Sequence, residues 1–344
     1  MPEDNIAHID FDELNTKAIS QALVNHIYTA DPSAHVFNGK IYIYPSHDID
    51  AGDAFDDLGS HFAMEDYHVL SMDVPGGKAT DHGVALDVKN VPWAEKQMWA
   101  PDAAEKDGKY FLFFPAKDHD GIFRIGVAIS DSPTGPFTPQ PQAIKESFSI
   151  DPAVFKDDDG SHYIYFGGIW GGQLQRWRRG SFNAEQPESP FAHLPNDNEP
   201  ALCAKVAKLS NDLLEFTETP RDVIIVDEQG KALLQGDNER RFFEASWLHK
   251  YNGKYYFSYS TGDTHFICYA IGDNPYGPFT YKGVVLNPVV GWTNHHSIME
   301  FEGRWYLFYH DSSLSKGVTH LRCVKVTELK HNDDGTIQTI TPYK

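Results

Sequence analysis

The chain has 344 residues, of which 41% are hydrophobic, 13% aromatic and 23% charged, the composition of a globular protein with a large core. Its formal net charge of −20 disfavours long-range attraction to nucleic acid or anionic lipid, but permits neutral sugars or cations such as calcium as ligands. No apolar run approaches the roughly 20 residues needed to cross a bilayer, so no membrane association is predicted.

The first 25 or so residues are predicted to be an extension or a closure segment. The N-terminus, MPEDNIAHIDFDELN, is acidic and lacks the basic start and apolar stretch of a signal peptide. The three cysteines (Cys203, Cys268 and Cys323) lie far apart, which disfavours a disulfide scaffold or a zinc ribbon. Cys268 and Cys323 stand in apolar, strand-like runs, where cysteine is usually a small buried hydrophobe. A reducing, cytoplasmic location is therefore predicted.

Five similar hairpins follow in chain order, each with a small or apolar strand, a turn glycine and an aromatic strand. They read ADPSAHVFNGKIYIYPSHD at 30–48, WAPDAAEKDGKYFLFFPA at 99–116, IDPAVFKDDDGSHYIYFGG at 150–168, FEASWLHKYNGKYYFSYS at 243–260 and HHSIMEFEGRWYLFYHD at 295–311. Asn38-Gly39 and Asn252-Gly253 are favoured in tight hairpin turns, since both central residues need a positive φ. The chain is thus predicted to be an all-β protein built from repeats.

A second repeated unit follows two of the hairpins. It reads SDSPTGPFTP at 130–139 and GDNPYGPFTY at 272–281, with a weaker copy, LSNDLLEFTE, at 209–218. We expect this unit to form the outer edge of a sheet, after a third strand. Five four-stranded antiparallel units predict a single five-bladed β-propeller over residues 1–344.

The start of each innermost propeller strand should face the central channel. Counting back eight or nine places from each turn glycine selects Asp31, Ala100, Asp151, Glu244 and His295. Each acid or histidine alone has an ordinary structural explanation, but their shared register favours a functional site. Carboxylates facing one channel suit glycoside hydrolysis, in which one acid protonates the leaving oxygen and one carboxylate activates water or attacks carbon.

Two further expectations concern the surroundings of these acids. A third carboxylate near the acid would raise the pKa of that acid, since like charges disfavour ionisation. Trp99 and Phe243 stand directly beside channel positions and are predicted to stack on a sugar ring.

The chain resembles glycoside hydrolase family 43 from about Asn25 to its C-terminus. The resemblance rests on Ala30-Asp31-Pro32, Ser46-His47-Asp48, Trp99-Ala100-Pro101, Ser149-Ile150-Asp151-Pro152, Phe243-Glu244-Ala245 and Asn294-His295-His296-Ser297. It implies a five-bladed propeller that inverts the anomeric carbon. It further implies that Asp31 is the general base, Glu244 the general acid, and Asp151 the carboxylate that tunes and orients the acid.

The same resemblance suggests ligand contacts outside the three acids. His295 matches a channel histidine that holds Ca²⁺ together with waters in many members; the alternative is a histidine bonded only to water. Arg322 resembles an arginine that contacts the sugar, although a surface ion pair would also explain it. His47 and Asp48 are expected at the channel rim and in contact with substrate, or else simply close a loop.

In its compact form and its WTNHHSIMEF segment, the chain resembles the single-domain, metal-assisted xylosidases of the family. The predicted activity is that of a β-1,4-xylosidase on xylo-oligosaccharides. The alternatives are an α-L-arabinofuranosidase, a bifunctional enzyme, or a sugar-binding propeller without catalysis. A retaining fructan-cleaving propeller is disfavoured, because Asp31 stands in Ala-Asp-Pro-Ser and not in Asn-Asp-Pro-Asn. Exo or endo action, the oligomeric state and the role of the polar stretch between Trp170 and Asp237 are left open.

Overall fold

Strands form most of the regular structure in residues 6–344, the part of the chain that the computed structural model describes. They make five sheets arranged as a five-bladed β-propeller, which confirms the predicted fold class.

The strands follow one another blade by blade along the chain. Blade I contains β1 (Tyr28–Phe37), β2 (Lys40–Asp48), β3 (Asp66–Met72) and β4 (Thr80–Asp87). Blade II contains β5 (Ala94–Lys96), β6 (Asp102–Lys106), β7 (Lys109–Asp118), β8 (Phe123–Ser130) and β9 (Thr138–Pro139). Blade III contains β10 (Ala153–Lys156), β11 (His162–Phe166), β12 (Lys205–Lys208) and β13 (Arg221–Asp222). Blade IV contains β15 (Glu244–Tyr251), β16 (Lys254–Ser260), β17 (Ile267–Gly272) and β18 (Phe279–Leu286), with β14 (Ile225–Val226) added parallel to β18. Blade V contains β19 (His296–Phe301), β20 (Arg304–Asp311) and β21 (Cys323–Leu329).

Helices are short in the described residues. They are the α-helix Phe11–Lys17 and the 3₁₀ turns Ile6–His8, Val88–Asn90, Trp170–Gly172, Leu174–Trp177 and Gly262–Thr264. None of them is long and apolar enough to cross a membrane.

The five predicted hairpins are the pairs β1–β2, β6–β7, β10–β11, β15–β16 and β19–β20. The turn residues Asn38 and Gly39 have φ values of 51° and 76°, as a tight turn of this kind requires. The repeated unit at 130–139 joins β8 to β9, and the one at 272–281 joins β17 to β18. In blade II the unit leads to the outermost strand, as predicted, whereas in blade IV the short strand β14 pairs outside β18.

Apolar residues fill the five interfaces between neighbouring blades. One cluster packs Tyr44 and Tyr67 of blade I against Leu112 and Phe114 of blade II. Four further clusters fill the interfaces II–III, III–IV, IV–V and V–I. These interfaces fix the inner strands relative to one another, so that groups at their starts are held in position.

The chain ends meet at blade V, which has three strands of its own. Leu23 donates its backbone N–H to Val324 O at 2.9 Å, and Ile19 donates to Pro342 O at 3.0 Å. The segment before β1 thus runs beside β21 and joins blade V to blade I. Nearby, Cys323 is buried, as is Cys268 in blade IV, in agreement with prediction.

Candidate active site

The five channel positions lie around one cavity of about 640 Å³. Asp31, Ala100, Asp151, Glu244 and His295 all line it. The five residues that were predicted by counting back from the turn glycines therefore lie around one site.

The backbone leaves regular strand geometry beside the acids. The β1–β2 register is interrupted between Ala30 and Ser33, and Asp31 within that bulge has a φ of 49°. Asp151 has a φ of 57°, and Ala245, in a corresponding bulge of β15, has a φ of 65°. Such conformations in non-glycine residues cost of order 1–3 kcal/mol and occur where surrounding contacts enforce them. Bulges change the direction of side chains, and here the acids beside them line the cavity.

Asp31 is buried among groups that favour its ionised form. Ser46 Oγ donates to Asp31 Oδ2 at 2.6 Å, and Arg322 Nη1 donates to Asp31 Oδ1 at 3.1 Å. His295 Nδ1 lies 3.2 Å from the same Oδ1. Burial opposes ionisation, but the charge of Arg322 and the contact with His295 outweigh it and hold the pKa of Asp31 well below its usual range. Asp31 is therefore a carboxylate.

Arg322 is 2% exposed and is paired with two carboxylates. Its Nε and Nη2 donate to the two oxygens of Asp48 at 2.8 and 2.7 Å, and its backbone N–H also donates to Asp48, at 2.9 Å. The guanidinium lies 4.9 Å from the centre of the Phe62 ring. Burial opposes its charge, but Asp31 and Asp48 raise the pKa of Arg322 above its usual value. The arginine is thus a permanent buried cation that also lines the cavity.

His310 binds the backbone of the same aspartate and was missed by the sequence analysis. Its Nδ1 accepts the Asp31 N–H at 3.0 Å, while its Nε2 lies 3.1 Å from Thr293 O. Burial, followed by the charge of Arg322, lowers the pKa of His310 to about 3. A neutral ring with its proton on Nε2 satisfies both contacts. The available signal was a repeated His-Asp pair at the end of the second hairpin strand, at 47–48 and again at 310–311.

Asp151 and Glu244 have the opposite electrostatic environment. Burial raises the pKa of Asp151 to about 6; His295 lowers it and Asp31 raises it, while Ala245 N–H donates to Asp151 Oδ2 at 2.9 Å. Burial, followed by the negative charges of Asp151 and Asp31, raises the pKa of Glu244 well above its usual value. Glu244 is therefore held protonated in the cavity where Asp31 is held ionised.

His295 faces the cavity, whereas its neighbour His296 does not line it. His296 Nε2 is bonded to Ser258 Oγ at 2.6 Å within the interface between blades IV and V. Burial lowers the pKa of His295, but the charges of Asp151 and Asp31 and the contact with Asp31 raise it overall. Within residues 6–344 its Nε2 makes no hydrogen bond, so that nitrogen is available to a ligand.

Only some of the residues expected to contact the sugar lie at the cavity. Trp99, Phe243 and Arg322 line the cavity, whereas His47 and Asp48 do not. The expectation that His47 and Asp48 contact substrate at the rim needs correction. Asp48 lies beneath Arg322, and His47 points to the other face of β2, where its Nδ1 lies 2.5 Å from Asp66 Oδ1.

Loops supply most of the remaining wall, and the sequence analysis did not select these residues. They include Phe55, His61, Phe62, Met64, Trp170, Trp292, Thr293 and His320. The rings of Trp292 and Phe243 lie 5.7 Å apart, and those of Trp292 and Trp170 also 5.7 Å apart. Aromatic side chains of this kind bind the apolar faces of sugar rings, while polar groups of the site fix the orientation of the ring.

A glycoside hydrolase needs a protonated acid and an ionised carboxylate in one cavity, and Glu244 and Asp31 provide such a pair here.

Comparison with known proteins agrees with this class. The family described as Glycosyl hydrolases family 43 matches residues 78–337. A xylosidase/arabinosidase of Bacteroides ovatus is 60% identical over 325 residues, covering 94% of this chain and 98% of that protein. A xylosidase/arabinosidase of Humicola insolens is 60% identical over 327 residues, covering 93% and 99%. A solved family 43 β-xylosidase/α-arabinofuranosidase from a compost metagenome, in complex with xylotriose and in a calcium-free form, is 67% identical with a TM-score of 0.92, covering 94% and 98%. The chain belongs to glycosyl hydrolase family 43.

Arg322→Met should raise the pKa of Asp31, because the guanidinium charge is the largest influence that favours the carboxylate. The shift can be measured by ¹³C NMR titration of the Asp31 carboxyl. Pairing the substitution with Asp48→Asn avoids leaving Asp48 as a buried unpaired charge. Lys316→Met is the matched control, since it removes the same charge from an exposed position of the same cavity. Equal titration of Asp31 in the double variant and the control would contradict the assignment.

Proposed function

We propose that the protein is an inverting glycoside hydrolase that releases a terminal pentose, acting as a β-1,4-xylosidase on xylo-oligosaccharides. The observation that supports this most directly is that one cavity holds Asp31, whose surroundings lower its pKa, and Glu244, whose surroundings raise its pKa. The substrate is inferred from similar proteins that are named xylosidase/arabinosidase and from the xylotriose bound by a similar structure.

In this proposal Glu244 donates its proton to the glycosidic oxygen as the bond from that oxygen to the anomeric carbon breaks. A water attacks the opposite face of the carbon, and Asp31 takes the water's proton. So acidic a carboxylate is a weak base, and its main contribution is therefore to orient the water and to accept the proton late, when the attacking oxygen has become positive. Exchange with solvent then restores both protonation states.

The roles of the remaining charged groups follow from their contacts. Arg322 and His310 fix the side chain and the backbone of Asp31, so the base has one orientation. Asp151 is bound to the N–H beside Glu244 and adds negative charge that favours the protonated acid. Arg322 also presents its guanidinium to the cavity, where it can donate to a sugar hydroxyl.

A second activity is supported by the double naming of the similar proteins. Two of those proteins are named xylosidase/arabinosidase, and the third is named β-xylosidase/α-arabinofuranosidase. A β-D-xylopyranosyl and an α-L-arabinofuranosyl group are both neutral pentoses, and a cavity with apolar walls excludes neither by charge. We therefore include α-L-arabinofuranosidase activity as the alternative or additional function.

The proposal is tested with 4-nitrophenyl β-D-xyloside, 4-nitrophenyl α-L-arabinofuranoside and xylobiose. We expect xylose release from both xylosides, and proton NMR of the first-formed sugar should show the anomer opposite to that of the substrate. Glu244→Gln serves as the control against contaminating activity. It should lower xylobiose cleavage by about 100- to 10,000-fold and nitrophenyl xyloside cleavage by less, because nitrophenolate leaves without a proton. Net retention would refute the inverting assignment.

Asp151→Asn should move the alkaline limb of the pH–rate profile to lower pH. The negative charge of Asp151 raises the pKa of Glu244, so removing that charge lets the acid lose its proton at a lower pH. The measurement is kcat/KM for xylobiose against pH in both proteins. Asp73→Asn removes an exposed carboxylate outside the cavity and should leave the limb in place. An unmoved limb in Asp151→Asn would reduce Asp151 to a positioning role.

We further propose that His295 holds a largely hydrated Ca²⁺ in the channel. His295 Nε2 is available, and the carboxylates of Asp31 and Asp151 stand beside the ring, so the residues provide one nitrogen and nearby negative charge. Calcium prefers oxygen ligands, so waters would complete its shell. When bound, the ion supplies positive charge that favours ionisation of the neighbouring carboxylates.

Exhaustive dialysis against EDTA should therefore lower kcat more than it changes KM, and added Ca²⁺ should restore activity. Calcium should also raise the melting temperature of the stripped protein, because a ligand that binds only the folded state stabilises it. His295→Ala should abolish both responses, while the control His296→Ala should retain them, since His296 does not line the cavity. A chelated protein with full activity and no bound metal by elemental analysis would refute the calcium assignment.

A further inference from the structure

A second group of potential metal ligands lies in blade I, outside the cavity. It comprises His47 at the end of β2 and Asp66 and His68 at the start of β3. Asp66 and His68 are two residues apart, so they share one face of the strand. The β2–β3 pairing, which matches Ile43 with Leu70, brings His47 opposite Asp66 when it is continued to the strand ends.

The ligand atoms of these side chains converge. One nitrogen or oxygen from each of the three residues lies within 4.8 Å of the others, and this is the single such group of histidine, cysteine and acidic residues found in residues 6–344. The rings of His47 and His68 are 4.4 Å apart. Zinc binds nitrogen and oxygen at about 2.0–2.2 Å, so two ligands of one ion stand at most about 4.4 Å apart. Small side-chain rotations would bring the group to that spacing.

A second acid fixes one of the histidines from behind. His68 Nδ1 lies 2.8 Å from Asp81 Oδ1, which also accepts the Gly83 N–H at 2.8 Å. The other oxygen, Asp81 Oδ2, lies 2.8 Å from His26 Nε2. Metal-bound histidines typically donate their second ring nitrogen to a carboxylate in this way, which fixes the tautomer and leaves Nε2 for the ion.

The group is also accessible to an ion from solution. The side chains of His47, Asp66 and His68 are 17%, 19% and 11% exposed, so they are neither sealed in the core nor free on the surface. The net charge of −20 favours the approach of cations. Two imidazoles and one carboxylate suit Zn²⁺ and its first-row neighbours, whereas Ca²⁺ and Mg²⁺ prefer oxygen.

We propose that His47, Asp66 and His68 bind a divalent first-row transition ion, with Zn²⁺ as the representative ion and water in the open position. This site is separate from the channel site at His295. It would tie the end of β2 to the start of β3, directly beside Asp48, which holds Arg322. Because the ion would bind the folded state, it would stabilise blade I whether or not the protein is turning over substrate.

The test is a Zn²⁺ titration of chelator-stripped protein by isothermal calorimetry, with melting temperature as a second readout. The wild-type protein should bind one Zn²⁺ per chain at blade I and melt at a higher temperature in its presence. His68→Gln should abolish this binding, and Asp81→Asn should weaken it by about 10- to 100-fold, the usual effect of losing an outer-shell partner.

Two controls separate this site from other histidines. His82 lies on the same β3–β4 hairpin but bonds to Ser71 Oγ, and His82→Gln should bind Zn²⁺ like the wild type. His295→Gln should also retain the blade I binding. If the wild type binds no Zn²⁺, or His68→Gln binds it as tightly as His82→Gln does, the group is a set of histidine–aspartate ion pairs and the proposal is wrong. If His68→Gln does not fold, equal affinity of Asp81→Asn and wild type leads to the same conclusion.

Discussion

The active-site arrangement depends on the ion pairs that buried Arg322 makes with Asp31 and Asp48. The arginine precedes β21 of blade V, and its two carboxylate partners, Asp31 and Asp48, belong to blade I. The ion network therefore crosses the interface where the last blade meets the first. Removing one partner from a buried pair costs about 3–5 kcal/mol, because the other charge is left without compensation. The closure of the propeller and the ionisation of Asp31 are thus maintained by the same group.

The asymmetric position of this one cation helps to explain why the pKa values of the three channel acids shift in different directions. Asp31 touches the guanidinium, and that charge is the foremost influence keeping it ionised. At Asp151 and Glu244, burial and the charge of neighbouring acids have a larger influence than Arg322, so the pKa of each acid is raised. Repeat architecture places the acids at equivalent positions, but it does not make their environments equivalent. Because Arg322 contacts Asp31 and not the other two acids, equivalent positions in the repeat acquire different pKa shifts.

The sequence predicted the fold and the channel positions because both follow from local spacing. Each turn glycine sets the register of its hairpin, and the register selects which residue begins the inner strand. The partners of these residues depend on contacts between distant segments, such as that between Asp48 and Arg322, which lie 274 residues apart. The alternation of side chains along β2 could have predicted that His47 and Asp48 face opposite sides of the sheet. It could not have predicted that Asp48 contacts Arg322 and not a sugar, because that contact joins distant segments of the chain.

The channel acids and the residues of the cavity wall also differ in how well the repeat predicts them. The three acids belong to positions that recur in every blade, so comparing blades reveals them. The wall of the cavity comes from irregular connections, including Phe62 between β2 and β3, Trp170 after β11, Trp292 between β18 and β19 and His320 between β20 and β21. These connections differ in length and sequence from one blade to the next, so they cannot be aligned with one another. The channel acids can therefore be predicted from the repeat, whereas much of the cavity wall comes from loops that are brought together only in the folded structure.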